Sequence, residues 1–119
     1  MPLLTTPIFQ ILLSLIDGDG HGYALIQDIR ERTQGEVSLT ASTLYAAVRR
    51  LAESGWIEEL ATRPRAKDDD ARRRYYRITA AGRTAARLEA ERLERTTTMA
   101  RERRLLAPLR PAAATKGRT

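Results

Sequence analysis

The 119-residue chain contains no cysteine and a single histidine. The missing thiol excludes disulfides, thiolate catalysis and cysteine-type zinc sites. One histidine without cysteine cannot build the usual transition-metal site. Aromatic residues are 5% of the chain. No apolar run approaches the roughly 18–20 residues that a membrane span needs. The start, "MPLLTTPIF", lacks the basic flank of a signal peptide, so a cytoplasmic location is expected and a membrane is not. There is no nucleophile–base spacing and no glycine-rich phosphate loop, so an enzyme is not expected and no cofactor is implied.

What is present is a globular composition: 42% hydrophobic and 30% charged residues, with a net charge of +6. That length supports one domain with one modest core. The charge is unevenly spread. Residues 1–60 hold four basic and eight acidic residues, residues 61–77 seven and three, and residues 78–119 ten and four. The basic excess therefore starts abruptly in the stretch "RPRAKDDDARRRYYRIT". A concentrated basic patch is the footprint expected for a polyanion partner, most often nucleic acid, although basic residues also serve plain solubility.

Periodicity orders the elements. Thr6 and Pro7 suit the start of a first helix, whose residues Ile8, Phe9, Ile11, Leu12, Leu13, Leu15 and Ile16 are apolar on nearly every side. Such a helix is buried or shared with a partner chain. "DGDGHG" breaks it as a turn. A second helix carries Tyr23, Leu25, Ile26 and Ile29 and is stopped by Gly35. A third begins at the cap Thr40 and ends at Gly55. Its Leu44, Ala47, Val48 and Leu51 share one face. Ser42, Ala46, Arg49, Arg50 and Glu53 lie opposite, with Thr43 and Tyr45 on the flanks.

"WIEEL" and "RYYRIT" have strand composition and form a hairpin around residues 61–73. Thr79 caps a fourth helix over 80–107. Pro108 and Pro111 end regular structure, and the tail 108–119 is expected to be disordered. Three helices, a hairpin and a last helix make a mainly α fold with a small β-hairpin, the winged helix-turn-helix order. The winged domain is assigned to residues 1–79 and the last helix to 80–107.

The candidate site follows from the chemistry of grooves. Hydroxyls bond phosphates or bases, and arginine can contact guanine with two bonds. Thr40, Ser42, Thr43, Tyr45, Arg49 and Arg50 form the expected major-groove set, although Thr40 also serves as a cap. Tyr23, at the start of the second helix, can reach a phosphate or sit half-buried in the core. Arg63, Arg65, Lys67, Arg72, Arg73 and Arg74 are the two basic arms of the wing. Asp68, Asp69 and Asp70 lack the alternating ligands of a calcium loop and read as a solvated tip. His21 is expected to cap the second helix or to touch backbone. In the last helix Ala85, Leu88, Met99 and Leu106 follow approximate coiled-coil spacing, interrupted by Arg92, Thr96 and Arg103. With Ile8, Phe9 and Leu12 they are the expected dimer interface.

Three segments, "ILLSLIDGDGHGYALIQDIRER" (11–32), "LTASTLYAAVRRLAESGWIE" (39–58) and "RRRYYRITAAGR" (72–83), carry a family resemblance. The most specific pieces are His-Gly-Tyr at 21–23, Thr-Leu-Tyr at 43–45 and Tyr-Arg-Ile-Thr-x-x-Gly at 76–82. On these the chain resembles the PadR-like transcriptional regulators. The resemblance implies a dimeric winged-helix DNA-binding protein, usually a repressor, with the last helix serving dimerisation. It implies double-stranded DNA and a second copy of the chain as partners and, as in some short members, a small-molecule effector. Two positions depart from the pattern. Position 42 is Ser where relatives often have Gly, and the last helix has no aromatic residue to match the ligand-stacking tryptophan of some members. A winged-helix adaptor that binds an acidic protein is the alternative reading.

Overall fold

The computed structural model describes residues 4–60 and 74–109. The elements run α1 (Thr6–Ile16), β1 (Gly20–His21), α2 (Gly22–Arg32), α3 (Ala41–Glu53), β2 (Ile57–Glu59), β3 (Tyr75–Ile78) and α4 (Ala80–Glu102). The strands form one antiparallel sheet in the order β1-β3-β2. Among the described residues no helix is long and apolar enough to cross a membrane.

Side chains satisfy each helix start. Thr5, not the expected Thr6, caps α1 by accepting from Ile8 N at 3.5 Å. The shift is one residue because either threonine fits the cap, and only the backbone geometry selects Thr5. His21 Nδ1 accepts from Ala24 N at 3.2 Å and caps α2. Thr40 accepts from Thr43 N at 3.1 Å and caps α3. Thr79 accepts from Gly82 N at 3.0 Å at the start of α4.

Three helix ends share one device, a residue in the left-handed region followed by a bond back to the last turn. In α3 Gly55 adopts φ 80°, and Trp56 N donates to Leu51 O at 3.0 Å. In α2 two successive residues are left-handed, Gln34 at φ 56° and Gly35, the expected stop, at φ 84°. Gly35 N then donates to Arg30 O at 2.8 Å. In α4 it is Arg104, φ 67°, with Leu105 N donating to Ala100 O at 2.9 Å. This corrects the expected end of α4 from 107 to Glu102. No glycine marks the stop, and the first proline comes only at 108.

Two compact units divide between Glu89 and Ala90. The first holds α1 to β3 and the start of α4. Its core comprises Ile11, Leu12 and Leu15 of α1, Leu25 and Ile29 of α2, and Leu44, Ala47, Val48 and Leu51 of α3. Ile57, Tyr76, Ile78 and Ala86 complete it. Each fully buried aliphatic side chain contributes about 1.5–3 kcal/mol. The expected inner face of α3 is the buried one, and Tyr76 and Ile78 point inward while Arg77 is exposed. In the second unit, residues 90–109, Arg101 Nε closes the turn after α4 by donating to Ala107 O at 2.9 Å.

β1 was not expected, since "DGDGHG" reads as a turn. Gly20 pairs with Tyr76 and His21 with Tyr75. A two-residue strand is too short for any periodic signal.

Two of the expected dimer residues are covered by their own chain: Leu12 is 0% and Ala85 1% exposed. Neither side chain is exposed for contact with a second chain. Leu106 is exposed but lies past the end of α4, outside any helical stripe. Ile8 and Phe9 are partly buried, and Leu88 and Met99 are exposed.

Two details fix the arrangement. A Cβ at Gly82 would collide with the Trp56 carbonyl oxygen and meet Ile78 Cγ1 at 2.8 Å. Arg32 ties α2 to α1: Nε bonds Asp28 Oδ2 at 2.9 Å, and Nη2 reaches Gln10 O at 3.1 Å and Ser14 Oγ at 2.6 Å. Ser14 Oγ donates to Asp28 Oδ2 at 2.6 Å. That hydroxyl first, and the Arg32 guanidinium next, hold the Asp28 carboxyl below its ordinary pKa, while burial opposes them.

Gly82→Ala is expected to cost about 1–3 kcal/mol in a urea unfolding experiment, because the opposing atom is backbone and cannot rotate away. Asp28 is stabilising while ionised, so its contribution is complete above the unfolded aspartate pKa of about 3.9 and is lost as pH falls through the lowered folded value. Asp28→Asn should therefore lower the urea midpoint at neutral pH and flatten its dependence on pH below about 4. An unchanged acid limb would contradict this.

Candidate nucleic-acid interface

The interface is built around α3. Its N-terminal turn exposes Thr40, Ser42 and Thr43, with the Thr40 hydroxyl 3.0 Å from that of Thr43. Thr40 thus does cap, and the two hydroxyls are linked. Tyr45, Arg49 and Arg50 are exposed further along.

Arg49 and Arg50 face different sides. Arg49 lines a groove of about 450 Å³ with Tyr45, Val48, Ala52, Glu59, Arg74 and Tyr76, between α3 and the hairpin. Arg50, with Ser42, Thr43 and Ala46, faces the cap Thr5 and Pro7 and Ile8 of α1. It also borders a cavity of about 140 Å³ beside Trp56. The grouping of both arginines on one outer face is therefore refined: the helix offers Arg49 toward the wing and Arg50 toward α1.

The His-Gly-Tyr segment explains itself here. His21 caps α2, and its ring packs edge-on against Tyr75 with centroids 5.2 Å apart. Gly22 is buried because a Cβ there would collide with the Tyr45 hydroxyl and approach Leu44 Cδ2 at 3.0 Å. The start of α2 thus lies directly beneath Tyr45 of α3. Tyr23, next in sequence, is 60% exposed, so the half-buried core role is excluded. Its phenol oxygen accepts from Gln27 Nε2 at 2.8 Å, which holds the ring on the surface. Tyr45 is 43% exposed.

Glu59, Arg74 and Tyr76 of the hairpin border this site. Arg74 Nη1 lies 3.1 and 2.9 Å from the two carboxylate oxygens of Glu59. Arg77 lies 3.6 Å from Asp19 and 3.8 Å from Glu58. The sequence reading missed these carboxylates. The strand alternation around Ile57 places Glu59 on the α3 side. Tyr76, beneath the groove, is buried, and burial first and Glu59 second push its phenol pKa up. Arg63, Arg65, Lys67, Arg72, Arg73 and the tip Asp68–Asp70 lie outside the described residues. Among the described residues no cluster of three or more His, Asp or Glu could hold a metal ion.

Chemically, this surface presents hydroxyls, two phenols and an arginine from α3 and the start of α2, over an apolar floor. Such groups bond phosphate oxygens and base edges.

Comparison with known proteins bears on the family and the fold. The sequence model of the transcriptional regulator PadR-like family matches residues 11–88. A curated, uncharacterized protein of Lysinibacillus sphaericus is 35% identical over 72 residues, 60% of this chain. The chain spans 63% of that relative, less than two thirds of its length. A transcriptional regulator from Clostridium thermocellum is similar in structure, with TM-score 0.67 and 31% identity, over 82% of this chain and 90% of the other. Bacillus subtilis PadR in complex with operator DNA is similar in fold, with TM-score 0.58 and 22% identity, over 70% of this chain and 46% of that one.

Gly22→Ala is expected to leave the fold intact, because the opposing phenol can swing outward, while displacing Tyr45. The checks are a circular dichroism melt and an affinity measurement on duplex DNA. A near-native melt with weakened DNA binding is expected, and unchanged binding would contradict the placement of Tyr45.

Proposed function

The chain belongs to the transcriptional regulator PadR-like family, and on that premise we propose that it is a repressor that binds double-stranded DNA as a homodimer on a pseudo-palindromic operator. The family is one of transcriptional regulators, not of enzymes. The observation that carries the proposal is the exposed face of α3. Ser42, Tyr45 and Arg49 stand clear of a core formed by Leu44, Ala47, Val48 and Leu51 on the opposite side.

An α-helix fits the major groove, roughly 12 Å wide, and α3 is the helix with polar, groove-compatible side chains. In this reading Arg49 contacts a base, Tyr23 and Tyr45 contact phosphates, and Thr40, Ser42 and Thr43 anchor the helix N-terminus. The basic residues 63–74 extend contact along the flanking backbone. The exposed Leu88, with Ile8 and Phe9 of α1, offers apolar side chains to a second copy, and the exposed Met99 offers one from residues 90–109. Two copies related by a two-fold axis would place their α3 helices about one helical turn of DNA apart. A dimer seated there blocks the site to other proteins, which is repression in its simplest form.

The test is a gel shift with DNA flanking the chain's own gene against random duplex. One fragment should be preferred at moderate salt and show a footprint with two half-sites. Arg49→Ala should cost about 1–3 kcal/mol on that fragment and relax the requirement at one base position. Absence of any preferred fragment would reject the proposal and favour the adaptor reading.

A further inference from the structure

The root of the wing is electrostatically closed on itself. Arg74, just before β3, and Arg77 within it meet three carboxylates from two other segments: Glu58 and Glu59 of β2 and Asp19 before β1. A basic arm that must bind a polyanion has no evident need of this. The two arginines also differ. Arg77 is flanked by both Asp19 and Glu58, so loss of either acid leaves it the other. Among the described residues Arg74 pairs with Glu59, whose two carboxylate oxygens both hold Nη1.

Position adds a second distinction. Glu59 lines the same groove as Tyr45, Arg49 and Arg74, whereas Glu58 points to the other side of the strand. Any duplex approaching that groove meets a carboxylate at its wall. Both members of the pair are substantially exposed, 65% for the Arg74 side chain and 46% for that of Glu59. Exposed pairs of this kind are weak and exchangeable. A phosphate can therefore replace Glu59 as the partner of Arg74, but only where the rest of the interface offsets bringing Glu59 close to the DNA.

Resting on the DNA-binding reading above, we propose that Glu59 is a specificity-determining residue. It holds Arg74 away from phosphates and thereby lowers affinity for random DNA more than for the preferred sequence. Its action is through Arg74, and its effect is on discrimination, not on the fold.

The experiment measures the affinity of the full chain for its preferred fragment and for a random duplex of equal length, across a salt series. The variants are Glu59→Gln, Glu58→Gln, Arg74→Gln and the double Glu59→Gln/Arg74→Gln. Glu59→Gln and Glu58→Gln change the net charge equally, but only the first frees an arginine. Glu59→Gln should tighten random-DNA binding about threefold or more, with log K against log salt steeper by about 0.9, the share of one phosphate contact. The preferred fragment should gain less, so discrimination falls. Glu58→Gln should have a clearly smaller effect, and the double variant should show no gain over Arg74→Gln. Equal effects of the two glutamate variants, or a gain that survives loss of Arg74, would overturn the proposal. A wild-type chain that prefers no fragment would instead reject the DNA-binding reading itself, before any variant is compared.

Discussion

The structure turns on the meeting of three segments at Thr79. Its backbone N donates to Trp56 O at 3.0 Å, its hydroxyl donates to Gly55 O at 2.7 Å, and the same oxygen accepts from Gly82 N at 3.0 Å. One residue thus joins the end of α3, the start of the hairpin and the start of α4. The junction closes only because Gly82 lets the chain pass against the Trp56 carbonyl. Without that approach, β2, β3 and the start of α4 would have no fixed relation to α3.

The consequences reach the candidate interface. Gly55 ends α3 in the left-handed region and turns the chain directly into β2. β2 pairs with β3 from Ile57–Ile78 to Glu59–Tyr76, so Glu59 and Arg74 arrive beside Tyr45 and Arg49. On the other edge β3 pairs with Gly20 and His21, which brings the capped start of α2 into place. Gly22 then admits Tyr45. Three glycines, two caps and one short sheet therefore place the polar side chains that face outward.

Much of this was legible in the sequence, for physical reasons that can be named. The inner face of α3 could be read because a 3.6-residue period separates Leu44, Ala47, Val48 and Leu51 cleanly from Ser42 and Arg49. The caps at Thr40, Thr79 and His21 could be read because few residue types serve there. Other features carry no local signal. A two-residue strand at Gly20–His21 has no period. The stop at Arg104 relies on a left-handed residue that is not glycine, which composition does not mark. Burial of Leu12 and Ala85 in their own chain depends on tertiary packing, and so did the pairing of Glu59 with Arg74 across the hairpin. The Asp68–Asp70 tip and most of the basic arms fall outside the described residues, and their role as a wing remains an expectation from charge pattern.

The central claim is that α3, steadied by the start of α2 and flanked by the wing, is the surface that meets DNA. Amide chemical-shift mapping tests this most directly, by titrating the full chain with its preferred duplex. The account predicts that the largest shifts fall on residues 40–49, on Tyr23 and on the wing, with little change along residues 90–102 of α4. Shifts concentrated on α4, with residues 40–49 unmoved, would contradict it.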